Sequence, residues 1–486
     1  MYSIKTEGMR FTDSKGRERI FNGVNVVDKS TYDEENSKFG FDMNENVLKD
    51  FASKGINLIR LGFTWNKMEP KPGKYNDAYI DSLAQIIDNC AKYGIYVFLD
   101  MHQDLYSPMC YGDGAPDWAT LTDGIKPKKI WLVWADVYFL SRACHRAFDN
   151  FWNNEPVYGR GLQDRFADCW KYIISRLGDK EAVIGFDFFN EPFPGTDGGK
   201  AFRRLVAKGT ADVLLTGKFG KAKFIKNAVS RDRVEKILGQ VSFPLMRSVT
   251  GAADELVHRF DLEKYSPFLN RMGKAARQVN KDKILFMENG YYSNTSIPFS
   301  APKISVDGIE DENQAFTPHG YDIMVDTPLY KFASAERAGG IFAEHKRSQE
   351  RLGVPVVVGE WGGFGGSKDE MWLEHIVFLL NLFDSNKWSN TYWAFMEGFL
   401  QSPLMKVFVR PHPFAVNGVI ESYAYDNEKK VFTLSFESMK KGESEIYVHT
   451  APSRVTLDGE DAKYKTDGNI IVISTAKGAH NITVEF

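Results

Sequence analysis

Phe186-Asp187-Phe188-Phe189-Asn190-Glu191-Pro192 is a run of strand-forming residues that stops abruptly at Asn-Glu-Pro. A buried barrel strand ends in this way when it hands a carboxylic acid to the rim of a pocket. The competing reading is a surface turn, because Asn and Pro favour turns and Glu is usually solvated. The choice between them depends on whether the rest of the chain supplies the other strands of a barrel.

Working outward in both directions, short apolar runs end near Val27, Leu61, His102, Asn190, Glu288, His319, Glu360 and Met396, eight in all. Apolar residues at helical spacing fill 46–54, closed by Gly55, then 80–93, closed by Gly94, and then 162–177. Strands alternating with helices imply a parallel sheet. Eight such units over 1–410 predict a (β/α)8 TIM barrel, with a doubly wound open sheet as the alternative. A hairpin-like segment turning at Ser14-Lys15-Gly16 precedes the first barrel strand. From about Pro411 the texture changes to short alternating runs separated by Asp458-Gly459, Asp467-Gly468 and Lys477-Gly478. Residues 411–486 therefore read as a small antiparallel β-sandwich domain.

Two insertions, 104–154 and 202–269, carry many bulky apolar residues, among them Trp118, Trp131, Leu132, Trp134, Phe139, Phe151, Trp152, Leu214, Leu215, Phe219 and Phe224. Loops that follow barrel strands surround the pocket. A satellite core beneath the loops accounts for most of these side chains, and pocket walls for the rest. The second insertion is rich in Lys and Arg, which suits solvated helices or transient contact with an anionic micelle or membrane surface.

Bulk properties narrow the function further. At 486 residues the chain is long enough for two domains. Its 61 basic and 64 acidic residues leave a formal charge of −3, which gives no field to recruit a nucleic acid. Cys90, Cys110, Cys144 and Cys169 show no C-x-x-C spacing, so neither a zinc site nor a disulfide scaffold is signalled. The first residues form no apolar leader, which favours the cytoplasm over secretion with a leader removed. Asn294-Thr295-Ser296 and Asn481-Ile482-Thr483 match the glycosylation pattern.

The carboxyl ends of the predicted strands deliver Lys29, Arg60, His102 with Asp104, Asn190 with Glu191, Glu288, His319 with Tyr321, Glu360, and Trp393 with Glu397. In a barrel these ends share one face. A buried ion-pair network accounts for one or two such groups, but burying this many is costly unless they do chemistry. Two rim glutamates suit glycoside hydrolysis, in which one carboxyl protonates the leaving oxygen and the other attacks the anomeric carbon. Glu191 and Glu360 are the pair chosen, with Asn190 placed for the sugar 2-OH, Arg60 holding Glu360 ionised and Tyr321 donating to it. His102 and His319 read as hydrogen-bonding residues of a sugar site rather than metal ligands. Gly362-Gly363-Phe364-Gly365-Gly366 lacks the Lys-Ser/Thr ending of a phosphate loop and reads as a turn away from Glu360.

Leu58-Ile59-Arg60, Met101-His102, Phe189-Asn190-Glu191-Pro192, His319-Gly320-Tyr321, Gly359-Glu360 and Tyr392-Trp393 together resemble glycoside hydrolase family five of clan A. Asp100-Met101-His102-Gln103-Asp104, Gly112-Asp113-Gly114-Ala115-Pro116-Asp117-Trp118 and Gly359-Glu360-Trp361-Gly362 look like its endoglycoceramidase branch. The resemblance implies Glu191 as acid/base and Glu360 as nucleophile, with Asn190, His319, Tyr321 and Trp393 lining the sugar subsite. It also implies Lys29 and Asp104 against the sugar next to ceramide, and a C-terminal β-sandwich. The implied reaction releases a glycan or hexose from a glycosphingolipid with retention and without metal or cofactor. The aromatic insertions then form a slot for the lipid. An endo-β-glucanase or mannanase, a steryl or ceramide β-glucosidase, and an inactive glycolipid-binding barrel are the alternatives.

Overall fold

A computed structural model describes all residues except 36, 129–133, 217–238, 326, 328, 329 and 364–369. The eight expected strands are present as β1 (Asn22–Val27), β2 (Leu58–Thr64), β3 (Tyr96–His102), β4 (Val183–Asp187), β5 (Ile284–Glu288), β6 (Gln314–Thr317), β7 (Val357–Trp361) and β8 (Ser389–Tyr392). All eight pair in parallel, β8 returning to β1. The ring closes between β6 and β7, where Phe316 N–H donates to Pro355 O at 2.9 Å and Gly359 N–H to Pro318 O at 2.9 Å. Closure removes the open-sheet alternative. Every residue of these strands is buried, because helices cover the outer face and side chains fill the inner one.

The helices follow local chemistry. Glu45–Ser53 starts where the Asn44 side chain accepts from the Asn46 and Val47 N–H groups. Its end passes into Gly55, whose φ of +76° no β-carbon would welcome, least of all against the Tyr447 ring. Asp77–Lys92 is capped by Asn76 and ends before Gly94 in the same way.

The insertions build on one side of the barrel's carboxyl face. Phe151 and Trp152, on helix Arg142–Trp152, pack with Phe166, Phe189 and Phe268 in the core, as a satellite core requires. Trp118 is half-buried against Trp65. Trp134 and Phe139 instead face the central cleft. Trp131, Leu132, Phe219 and Phe224, the side chains of Leu214 and Leu215, much of the basic stretch and Phe364–Gly366 lie outside the described residues. The four cysteines are buried thiols. Among the described residues no helix is long and apolar enough to cross a membrane.

The C-terminal strands form two antiparallel sheets around Val416, Ile420, Phe432, Leu434, Phe436, Ile471 and Ile473. One sheet is completed by the N-terminal strands Ile4–Glu7, Arg10–Asp13 and Glu18–Arg19, with Arg19 opposite Ala415. The hairpin-like segment thus belongs to the sandwich sheet, although it lies within 1–410. Arg410 and Asp384, both buried, tie the sandwich to a barrel helix at 2.6 Å. Tyr447 OH and Asn469 Nδ2 donate to Ser53 O at 2.9 and 2.7 Å.

Candidate active site

Arg60, mid-strand on β2, stands in the barrel interior with no exposed surface. Its Nη1 donates to Glu360 Oε1 at 2.7 Å and Asn25 Oδ1 at 3.2 Å. Its Nη2 donates to Asp187 Oδ2 at 2.9 Å, Asn190 Oδ1 at 3.0 Å and Glu288 Oε2 at 3.1 Å, and Asp100 Oδ1 lies 3.0 Å away. One guanidinium therefore faces four carboxyl groups. Burial pushes Asp187 up to about 7 and Glu288 well above the usual carboxylate range, while Arg60 pulls both the other way. Of this group, Arg60, Glu360 and Asn190 were assigned roles from sequence. Asp100 shares a strand face with His102 two residues on, and that period-two signal could have found it.

Glu191 leaves β4 with φ of +43°, a left-handed conformation that costs a non-glycine residue free energy. The surroundings hold it there. Its N–H donates to Glu288 Oε1 at 2.6 Å, and Gln103 Nε2 donates to Asn190 O at 2.7 Å. Burial and then the charge of Asp104 push its carboxyl up to about 7, while a hydrogen bond from Asn294 pulls the other way. Burial raises Glu360 too, but Arg60 at 2.7 Å and the Tyr321 hydroxyl at 3.2 Å both donate to it and favour its anion.

His319 joins the two glutamates. Its Nδ1 is 3.1 Å from Glu191 Oε1 and 3.7 Å from Glu360 Oε2, and oxygens of the two carboxyls approach within 4.8 Å of each other. Burial pushes this imidazole down to about 3, so it is neutral. His102 is the opposite case. Burial and Lys29 disfavour its charge, but Asp100 at 2.8 Å and Asp104 carry it up to about 9. Trp393 stacks on the His102 ring at 5.3 Å, and the Lys29 ammonium lies 4.4 Å over Trp393 while bonding Asp104. His102, Asp104 and Asp113 are spaced as a cation's ligands would be, but Lys29 already fills that role on Asp104. Glu397 is exposed and does not line the cleft.

Asn294 is a residue of the site to which sequence reasoning gave no role. It is buried, and its Nδ2, the atom a glycan would occupy, donates to Glu191 Oε1 at 2.5 Å. The glycosylation pattern there is a coincidence of spacing.

These groups open into one cleft of about 760 Å³. Lys29, Asp104, Tyr321 and Trp393 line it beside Glu360 and His102. Its apolar lining is Leu105, Val137, Phe139 and Tyr291, with Trp134 and Tyr111 about half exposed. Tyr291 and Asn294 share one short turn, Tyr291–Thr295, so the apolar wall adjoins the Glu191 side.

The family described as cellulase (glycosyl hydrolase family 5) matches residues 13–218 and 254–398, and the glycoside hydrolase family 5 C-terminal domain matches 410–485. An endoglycoceramidase of Hydra vulgaris is 35% identical over 237 residues, 44% of either chain. A glucosylceramidase of Rhizopus delemar is 28% identical over 244 residues, 40% of this chain and 36% of that one. These alignments span less than half the length of either relative. Endo-glycoceramidase II from Rhodococcus sp. shares the fold, with a TM-score of 0.73 and 22% identity over 98% of both chains.

Proposed function

The chain belongs to glycoside hydrolase family 5, and from that membership and the shape of its cleft we propose that it is a retaining β-glycosidase cutting the bond between a glycan or hexose and ceramide in glycosphingolipids. The observation that carries this reading is apolar lining next to Glu191: Tyr291 shares a turn with Asn294, which bonds Glu191, and packs against Phe139 in the same cleft. The acid must sit on the leaving-group side, so an apolar wall there suits a lipid aglycone. The relatives named for ceramide glycosides support the same choice.

Glu360, ionised beside Arg60, attacks the anomeric carbon. Glu191, held protonated near neutrality by burial, gives its proton to the departing ceramide oxygen. Water then cleaves the glycosyl ester, losing its proton to Glu191. Carboxyl oxygens within 4.8 Å suit this covalent route, since retaining pairs stand about 5 to 5.5 Å apart and inverting pairs leave room for an intervening water. Trp393 lines the cleft as a surface for the sugar ring, whereas Asn190, bonded to Arg60 and to Gln103 O and absent from the cleft lining, would reach the sugar 2-OH only by releasing one of these bonds. Tyr111 and Trp134 would meet a micelle or membrane surface transiently as the lipid enters.

Mass spectrometry of products from a mixed panel tests this: glycosphingolipids, steryl glucosides, and cello- and manno-oligosaccharides. The expected result is free glycan plus intact ceramide, lost by a factor of about 100 or more in Glu191→Gln and Glu360→Gln. Cleavage of the oligosaccharides alone would make it a glucanase or mannanase, and binding without products an inactive glycolipid-binding barrel.

A further inference from the structure

Glu191 Oε1 is crowded with donors. Asn294 Nδ2 is 2.5 Å from it and His319 Nδ1 3.1 Å. His319 Nδ1 also faces Glu288 Oε1 at 3.4 Å and Glu360 Oε2 at 3.7 Å, whereas its Nε2 has no protein partner. A neutral ring has one N–H, and three carboxyl oxygens around Nδ1 place it there. The direction of the Asn294 amide is fixed by a chain of bonds rather than by its own shape. His319 backbone N–H donates to Asn289 Oδ1 at 2.7 Å, which turns Asn289 Nδ2 toward Asn294 Oδ1 at 2.7 Å. Asn294 is then left with its NH2 toward Glu191. Glu191 Oε2, by contrast, has no protein partner among the described residues and is not sealed from the cleft.

We propose that Asn294 is a positioning residue: by occupying Oε1 with a donor it confines the transferable proton of Glu191 to Oε2, the oxygen that opens on the cleft. A proton on Oε1 would meet two hydrogens already aimed at that atom. In the first step Glu360 bonds the anomeric carbon as the bond from that carbon to the leaving oxygen breaks, and the Oε2–H bond breaks as that oxygen takes the proton. In the second, water bonds that carbon, the ester electron pair returns to Glu360, and the water proton goes to Oε2. Between the steps Glu191 is an anion, and the Asn294 bond, now to a charged acceptor, is at its strongest. The assignment rests on the acid/base reading of Glu191 given above.

The test is the pH dependence of kcat/KM for an alkyl β-glycoside and a 2,4-dinitrophenyl β-glycoside in the full chain. Removing a donor that favours the anion raises the Glu191 pKa. Asn294→Ala should therefore move the alkaline limb for the alkyl substrate up by about one pH unit. Asn294→Asp, nearly isosteric and so the safer fold, should move it the same way and further. The dinitrophenyl substrate, whose leaving group needs no proton, should lose less than the alkyl one in both variants. An unmoved limb, or equal losses on the two substrates, overturns the proposal. Glu191→Gln separates the two ideas. If it keeps the alkaline limb, the acid/base assignment itself has failed. If only the Asn294 variants leave the limb unmoved, the role of Asn294 has failed alone.

Discussion

Replacing Arg60 by Lys keeps the charge at the centre of the barrel and removes its fork. Arg60 donates six hydrogen bonds, to Asp187 twice and to Asn25, Asn190, Glu288 and Glu360 once each. An ammonium has three N–H donors, so at least three of these bonds are lost. At about 1.5 kcal/mol for each bond made by a charged donor, the loss is about 4 to 5 kcal/mol, the size found when a buried ion pair is broken. Unfolding entropy of about 2.1 cal/mol/K per residue gives about 1 kcal/mol/K for this chain, hence a fall in Tm of about 4 to 5 °C. The catalytic signature is separate. Glu360 loses the Nη1 contact at 2.7 Å, its anion becomes less favoured, and the acid limb of kcat/KM moves to higher pH. Arg60 makes no hydrogen bond to the Glu191 carboxyl, so the alkaline limb stays. A calorimetric melt and a pH–rate profile on one substrate read both effects. An Arg60→Lys variant with unchanged Tm and an unchanged acid limb would refute the view that this guanidinium organises the site.

Two further outcomes follow from other parts of the molecule. Phe139 stacks on Phe202 and meets the edge of Tyr291 in the apolar wall, so Phe139→Ser should raise KM for a ceramide glycoside about tenfold while leaving a water-soluble aryl glycoside unaffected. Equal losses on both substrates would mean that the wall serves folding rather than the lipid. Glu18, buried where the sandwich meets the barrel, accepts the Ile420 N–H at 2.8 Å, and burial pushes its carboxyl up to about 7. A carboxyl raised by folding contributes stability when protonated and loses it as pH climbs from 4.5 through 7. Glu18→Gln mimics the protonated form, so it should gain up to about 3 kcal/mol on wild type at pH 8 and almost nothing at pH 4.5. Equal differences in Tm at the two pH values would count against this account.

How far sequence alone could reach differs from residue to residue. Barrel strands such as Ile56 to Leu61 are buried on both faces and read as short apolar runs, and Gly55 and Gly94 mark the helix ends before them, so architecture was legible from local pattern. Strand ends named Glu191, Glu360, His319 and Tyr321 because the barrel turns a position along the chain into a position in space. Asp100 and Asp187 were harder. They sit within strand runs where a charged residue counts against burial, and only the shared contact with Arg60 explains them. Asn294 was illegible because the residue it contacts, Glu191, lies 103 positions away along the chain. The same holds for residues 4–19, whose alternation fits any exposed sheet edge and says nothing of which sheet.

That placement has a consequence for how the molecule is made. Strand Glu18–Arg19 pairs with Ala415 and Val416, so one sheet is stitched from segments far apart along the chain. The closing loop spans about 400 residues, and its entropy must be met before the pairing returns anything. The barrel is therefore expected to assemble first, with the early hairpin waiting as an open edge for its late partners. Once they arrive, the two segments fasten like a buckle, and unpicking either one in a mature molecule loosens the other.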